Sequence, residues 1–166
     1  MLEGVQVGFP SSPNILNIEG FFSSKHTLSG WFKITGSIHG GFLTNVYGPP
    51  RAEQKVSFLD LLVVIKDISD DKPWILGGDF NLIMNLEEKK GGIRNLNLAS
   101  VYFNVLIDTL DLIDVRTSNG IFAWNNKKVG DRGIACWLDL FLIYESIMLA
   151  RGELRAVVLP PTASDH

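Results

Sequence analysis

The chain has 166 residues, 46% of them hydrophobic, and a formal charge of −3 from 15 basic and 18 acidic side chains. This suits one globular domain with a real core, and no apolar run reaches the roughly 18–20 residues of a membrane span. A surface holding nucleic acid by charge alone would be basic, so any such contact here would rest on a local basic rim. Met1-Leu2-Glu3 leads into no basic and then apolar segment, so no secretory signal is expected. The lone Cys136 excludes an internal disulfide and fits a reducing, intracellular setting as a buried small hydrophobe.

Residues 1–20, with Gly4, Gly8, Pro10 and Pro13, read as an irregular leader. Leu28–Ile34 and Phe42–Tyr47 are apolar and β-branched and meet across a Gly-rich turn, which predicts a hairpin closed by Gly48-Pro49-Pro50. Phe58, Leu61, Leu62 and Ile65 recur at helical spacing within Glu53–Ile68. Trp74–Phe80 is a short buried strand. Leu82–Leu96 is a loop whose charge cluster, including Glu87 and Glu88, reads as solvated. Leu98–Leu110 is a second amphipathic helix with Leu98, Val101, Tyr102 and Val105 on its apolar face. Leu112–Val115, Ile121–Trp124 and Ala135–Tyr144 complete the strands. The pattern predicts a layered α/β or α+β sandwich with mixed sheets and outer helices.

Three places carry residues suited to chemistry. In Gly77-Gly78-Asp79-Phe80-Asn81, strand alternation would aim Asp79 and Asn81 the same way and Phe80 into a core, although Asp and Asn are equally at home in a structural turn. Asp139 sits inside an apolar run, where an unpaired buried carboxylate costs several kcal/mol, so it faces solvent or has a partner. Ser164-Asp165-His166 ends the chain, and an imidazole oriented by Asp139 would present its other nitrogen to a phosphate oxygen. His26 and His39 receive no role. No phosphate-binding Gly-rich loop or zinc pattern is present.

Thr44-Asn45-Val46-Tyr47-Gly48-Pro49-Pro50, Gly77-Gly78-Asp79-Phe80-Asn81, Phe122-Ala123-Trp124-Asn125-Asn126, Leu138-Asp139-Leu140-Phe141-Leu142 and Ser164-Asp165-His166, in that order, resemble the endonuclease/exonuclease/phosphatase family. The likeness is to the apurinic-type endonuclease domains of plant non-LTR retroelements, and runs from about Phe21 to His166. It implies an incomplete four-layered α/β (α+β) sandwich over residues 21–166. It also implies phosphodiester hydrolysis with magnesium, or manganese in its place, acting on DNA or another phosphodiester. By the same resemblance Asp79 orients or activates the attacking water, Asn81 positions the phosphate or Asp79 itself, Tyr47 is a phenol on the phosphate side, and Asp139 orients His166. His166 stabilises the transition state, Ser164 contacts the phosphate and Asp165 lies at the metal.

The departures lower the expected activity. The family's upstream metal-binding Glu has no counterpart, because only 46 residues precede Tyr47. Asn17-Ile18-Glu19-Gly20 lies too close to Tyr47 to replace it. Ala123 stands where a phosphate-contacting Thr is usual, and Trp137 and Leu140 replace basic residues. The chain reads as the later two thirds of a domain, with a weakly held metal. The alternatives are a non-catalytic remnant or nucleic-acid-binding module and a phosphatase for small phosphoesters.

Overall fold

Strand alternation and helical periodicity place most of the elements correctly, but not every buried face. The computed structural model describes residues 5–8, 16–36, 38–92, 95–116, 124–128, 130–147 and 155–158. In chain order the elements are β1 (Val5–Gly8), β2 (Leu16–Ser23), β3 (Thr27–Ile34), β4 (Gly40–Tyr47), α1 (Ala52–Ile68), β5 (Trp74–Asp79), β6 (Lys89–Lys90), α2 (Leu98–Thr109), β7 (Leu112–Asp114), β8 (Trp124–Asn125), β9 (Ala135–Cys136), β10 (Asp139–Tyr144) and β11 (Arg155–Val158). A six-stranded sheet runs in the order β2-β3-β4-β5-β10-β7; β6-β9-β8 and β1-β11 form smaller sheets.

The large sheet is mixed. β2, β3 and β4 form an antiparallel meander. β5 runs parallel to β4, which requires a crossover, and α1 supplies it. β10 then lies antiparallel between β5 and β7.

Both helices cover one face of this sheet. Phe42 and Val46 of β4, Trp74 and Leu76 of β5, and Leu140 and Leu142 of β10 pack there against Phe58, Leu62 and Ile65 of α1 and Phe103, Leu106 and Ile107 of α2. Buried polar groups in this layer find partners. The Trp74 indole N–H donates to Thr44 Oγ1 at 2.9 Å, and Thr44 Oγ1 lies 3.0 Å from Ser29 Oγ. An unmatched buried hydroxyl would instead cost about 1–3 kcal/mol.

Several expectations change. In α2 the buried set is Ala99, Ser100, Phe103, Leu106 and Ile107, whereas Leu98, Val101 and Val105 are 79%, 49% and 55% exposed. Asp108 is the helix's one charged residue, so apolar side chains lie on both flanks and periodicity cannot choose between them. Packing favours the flank that buries Phe103. Within α1, Leu59 joins Phe58, Leu62 and Ile65 as fully buried, and Leu61 is only partly so.

The acidic loop is not wholly solvated. Glu88 is buried, its carboxylate accepting from Met84 N–H at 2.6 Å and Asn85 Nδ2 at 2.8 Å. The Asn85 side chain in turn accepts from Glu87 N–H, forming a capping box around a short 3₁₀ turn. The run Ala135–Tyr144 divides into β9 and β10, which serve different sheets. Two stretches of the expected irregular leader are strands, β1 and the start of β2. Trp124 falls in β8, and residues 121–123 of that expected strand lie outside the described residues.

Candidate active site

The face of the large sheet turned away from the helices ends in a row of polar side chains. Tyr47 is the register partner of Asp79 across the parallel β4–β5 pair, and Asp79 is the partner of Asp139 across the antiparallel β5–β10 pair. Alternation puts all three side chains on the same face. Directly opposed residues have Cβ atoms about 4.5–5.5 Å apart, so two carboxylates stand side by side with a phenol next to them.

Glycines allow the strands to come this close. Gly78 has φ +137°, and a Cβ there would lie 2.1 Å from the Val46 carbonyl oxygen. A Cβ on Gly48 would lie 2.3 Å from the Phe80 carbonyl oxygen. Gly48 N–H instead donates to Asp79 O at 2.6 Å, and Phe80 N–H to Leu138 O at 2.9 Å. The chain end beyond β5 is therefore tied to β4 on one side and to the segment before β10 on the other.

Asn81 differs from its strand-based expectation. β5 ends at Asp79, and Asn81 lies in a left-handed turn with φ +52°, a conformation that Asn tolerates better than most residues. Its backbone N–H donates to Asp79 Oδ1 at 2.7 Å, and its side-chain Nδ2 to Gly48 O at 2.9 Å. Asn81 thus holds the Asp79 carboxylate through its backbone and the β4 turn through its amide. Phe80 is buried in the core, as alternation requires.

The two carboxylates are not equivalent. Burial pushes Asp79 above the ordinary carboxyl range, but the Asn81 N–H and the Lys55 charge pull it back. Burial likewise pushes Asp139 up, and the neighbouring Asp79 charge pushes it further. Asp79 is therefore the member of the pair that gives up its proton first, and its charge makes ionising Asp139 harder.

Lys55 was hidden in the sequence as a polar position off the α1 stripe. It is half-buried, and its ammonium donates to Asn81 O at 2.5 Å. The available signal was topological: a helix that follows β4 and leads to a parallel β5 begins at the end of the sheet where Asp79 sits. Arg51, immediately before α1, belongs to the same rim. So does the β2–β3 loop with Lys25 and His26, where Tyr47 N–H donates to His26 O at 2.9 Å and His26 Nδ1 lies 3.1 Å from Tyr47 O.

Ser164, Asp165 and His166 lie outside the described residues, as does Ala123. Among the described residues no group of three or more His, Cys, Asp or Glu side chains is placed to hold a metal ion. Asp79 and Asp139 alone do not make such a site.

No family model matches the chain, and no curated protein matches it. Solved structures do. The endonuclease domain of TRAS1, a telomere-specific non-LTR retrotransposon, superposes with a TM-score of 0.54 at 16% identity, covering 74% of this chain and 52% of that one. An endonuclease/exonuclease/phosphatase family protein from Bacteroides thetaiotaomicron superposes with a TM-score of 0.51 at 14% identity, covering 81% of this chain and 53% of that one. The chain has the endonuclease/exonuclease/phosphatase fold. It spans about half the length of both structures, so it carries that fold in part. Within it, the Tyr47–Asp79–Asp139 row lies at the end of the large sheet where the β2–β3 loop, the start of α1 and the Asn81 turn meet.

Proposed function

We propose that this chain derives from a metal-dependent phosphodiester hydrolase of the endonuclease type and that its own activity is weak. The observation that carries the reading is the paired Asp79 and Asp139 beside Tyr47, at one end of β4, β5 and β10. Asp79, held ionised by the Asn81 N–H and Lys55, is the general base for an attacking water. Tyr47 is exposed on the same face, and its phenolic O–H donates a hydrogen bond to a phosphate oxygen. Asp139 orients His166, which stabilises charge on the phosphate, and Ser164 contacts that phosphate. By resemblance Asp165 would hold magnesium, or manganese in its place, and such an ion would supply charge neutralisation at the phosphate.

DNA is the proposed substrate, because the TRAS1 domain is an endonuclease of a retrotransposon. Lys55 supports this by placing a cation beside the site carboxylates of a net-acidic chain. Weak activity is supported by Ala123, which stands where the resembling family usually carries a phosphate-contacting Thr.

The test measures nicking of plasmid and abasic-site DNA with magnesium, comparing the 166-residue chain with Asp79→Ala. The expected result is slow, magnesium-dependent cleavage that Asp79→Ala lowers by a further ~10²–10⁴-fold, the contribution of a positioned base. Cleavage indifferent to Asp79→Ala would remove the assigned base. DNA binding without cleavage would leave the binding-module reading. Turnover of small phosphomonoesters with none on DNA would favour the phosphatase reading.

A further inference from the structure

We propose that Lys55 is a positioning residue of this site, clamping the Asn81 turn so that its N–H stays on the Asp79 carboxylate. The inference rests on the reading of Asp79 as the base. Three contacts form the chain of action. Lys55 Nζ donates to Asn81 O at 2.5 Å, Asn81 N–H donates to Asp79 Oδ1 at 2.7 Å, and Asn81 Nδ2 donates to Gly48 O at 2.9 Å. The carbonyl and the N–H of one left-handed residue are thus both engaged, one by α1 and the other by the carboxylate that it orients. A non-Gly residue in the left-handed region is held there by its surroundings, and Lys55 is the charged part of those surroundings.

The clamp is poorly explained as ordinary helix stabilisation. No carboxylate pairs with Lys55 within salt-bridge distance among the described residues, and half-burying an ammonium costs solvation. Burial lowers the Lys55 pKa, while the Asp79 charge raises it. A solvated helix position would not need this arrangement. Among the described residues the charged or titratable groups facing Asp79 are Lys55 from α1 and Asp139 from β10, and the Lys55 charge favours the ionised Asp79.

The experiment reads the clamp without reading turnover. The Asp79 carboxyl is titrated by carbon-detected NMR, and Asn81 amide exchange is followed in the full chain and in three variants. Lys55→Met should shift the Asp79 titration upward and speed Asn81 exchange by about tenfold, the equivalent of roughly 1.4 kcal/mol. Lys55→Gln keeps a donor without the charge, so it should preserve exchange protection while the titration still shifts. Lys55→Arg should restore the titration. If Met fails to fold, the Gln and Arg variants carry the same contrast. An Asp79 titration unchanged in Lys55→Gln would overturn the proposal, as would exchange that speeds equally across α1 and β5. Failure of the nuclease assay alongside a shifted titration would count against the function and not against the clamp.

Discussion

Asp114 shows what one carboxyl costs when its partner is imperfect. It ends β7 on the helix-covered face, and burial pushes its pKa to about 6, the nearby Glu88 adding to a rise that Arg116 and the Phe141 N–H offset. Arg116 reaches it only at 3.6 Å and is itself largely exposed. The folded state binds the proton more tightly than the unfolded chain. The resulting stability is therefore complete below the ordinary value of 3.8 and is lost as pH rises through about 6. At about 1.4 kcal/mol per pH unit, the loss is on the order of 3 kcal/mol. Asp114→Asn keeps an acceptor for the Phe141 N–H and removes the titration. Thermal melts should show it more stable than the parent at pH 8 and no more stable at pH 4; equal melting at both would show the burial cost to be negligible.

At the scale of elements, α2 separates apolar pattern from burial. Replacing Val101 or Val105 with Lys touches only an exposed flank and should change stability by no more than about 0.5 kcal/mol. Phe103→Ala empties a site that is 1% exposed, and should cost about 3–5 kcal/mol in chemical denaturation. Equal losses would mean that the Leu98–Val101–Val105 flank is covered in solution.

The hairpin, α1, β5 and the span of α2 were legible because each has its own period or turn chemistry. The choice of α2 face was not, because its apolar residues lie on both flanks. Nor was the burial of Glu88 read, although Asn85 three residues earlier carried its capping signature. At the site, Asp79 and Asp139 were legible as motifs. Their side-by-side pairing, and the part played by Lys55, depend on strand order. The left-handed turn at Asn81 breaks the alternation from which its side-chain direction was read.

For the whole molecule, the two faces of the large sheet differ in cover. The helix face is closed, whereas Ile18, Phe21 and Leu28 project from the other face on β2 and β3, with Phe21 76% exposed. Among the described residues, β2 also ends the sheet with no strand paired to its outer side. Exposed apolar side chains beside an open strand edge favour association. Sedimentation velocity should show concentration-dependent self-association, reduced by Phe21→Lys together with Leu28→Lys. A monodisperse monomer at every concentration would contradict this.

The register that pairs Asp79 with Asp139 also dictates when the site comes into being. β2, β3 and β4 join neighbours in the chain, and their contacts close short loops. The β5–β10 pairing instead joins residues separated by α2, β7 and the small sheet's strands. Closing a long loop carries a larger entropic cost, and distant pairings slow folding. The meander can therefore form while β10 is still absent, leaving Asp79 without its neighbouring charge. The Asn81 N–H that holds Asp79 lies only two residues away, whereas the Asp139 carboxyl whose ionisation Asp79 opposes comes beside it only when β10 pairs with β5. Within the large sheet, the site is thus completed by the pairing that joins the most distant residues.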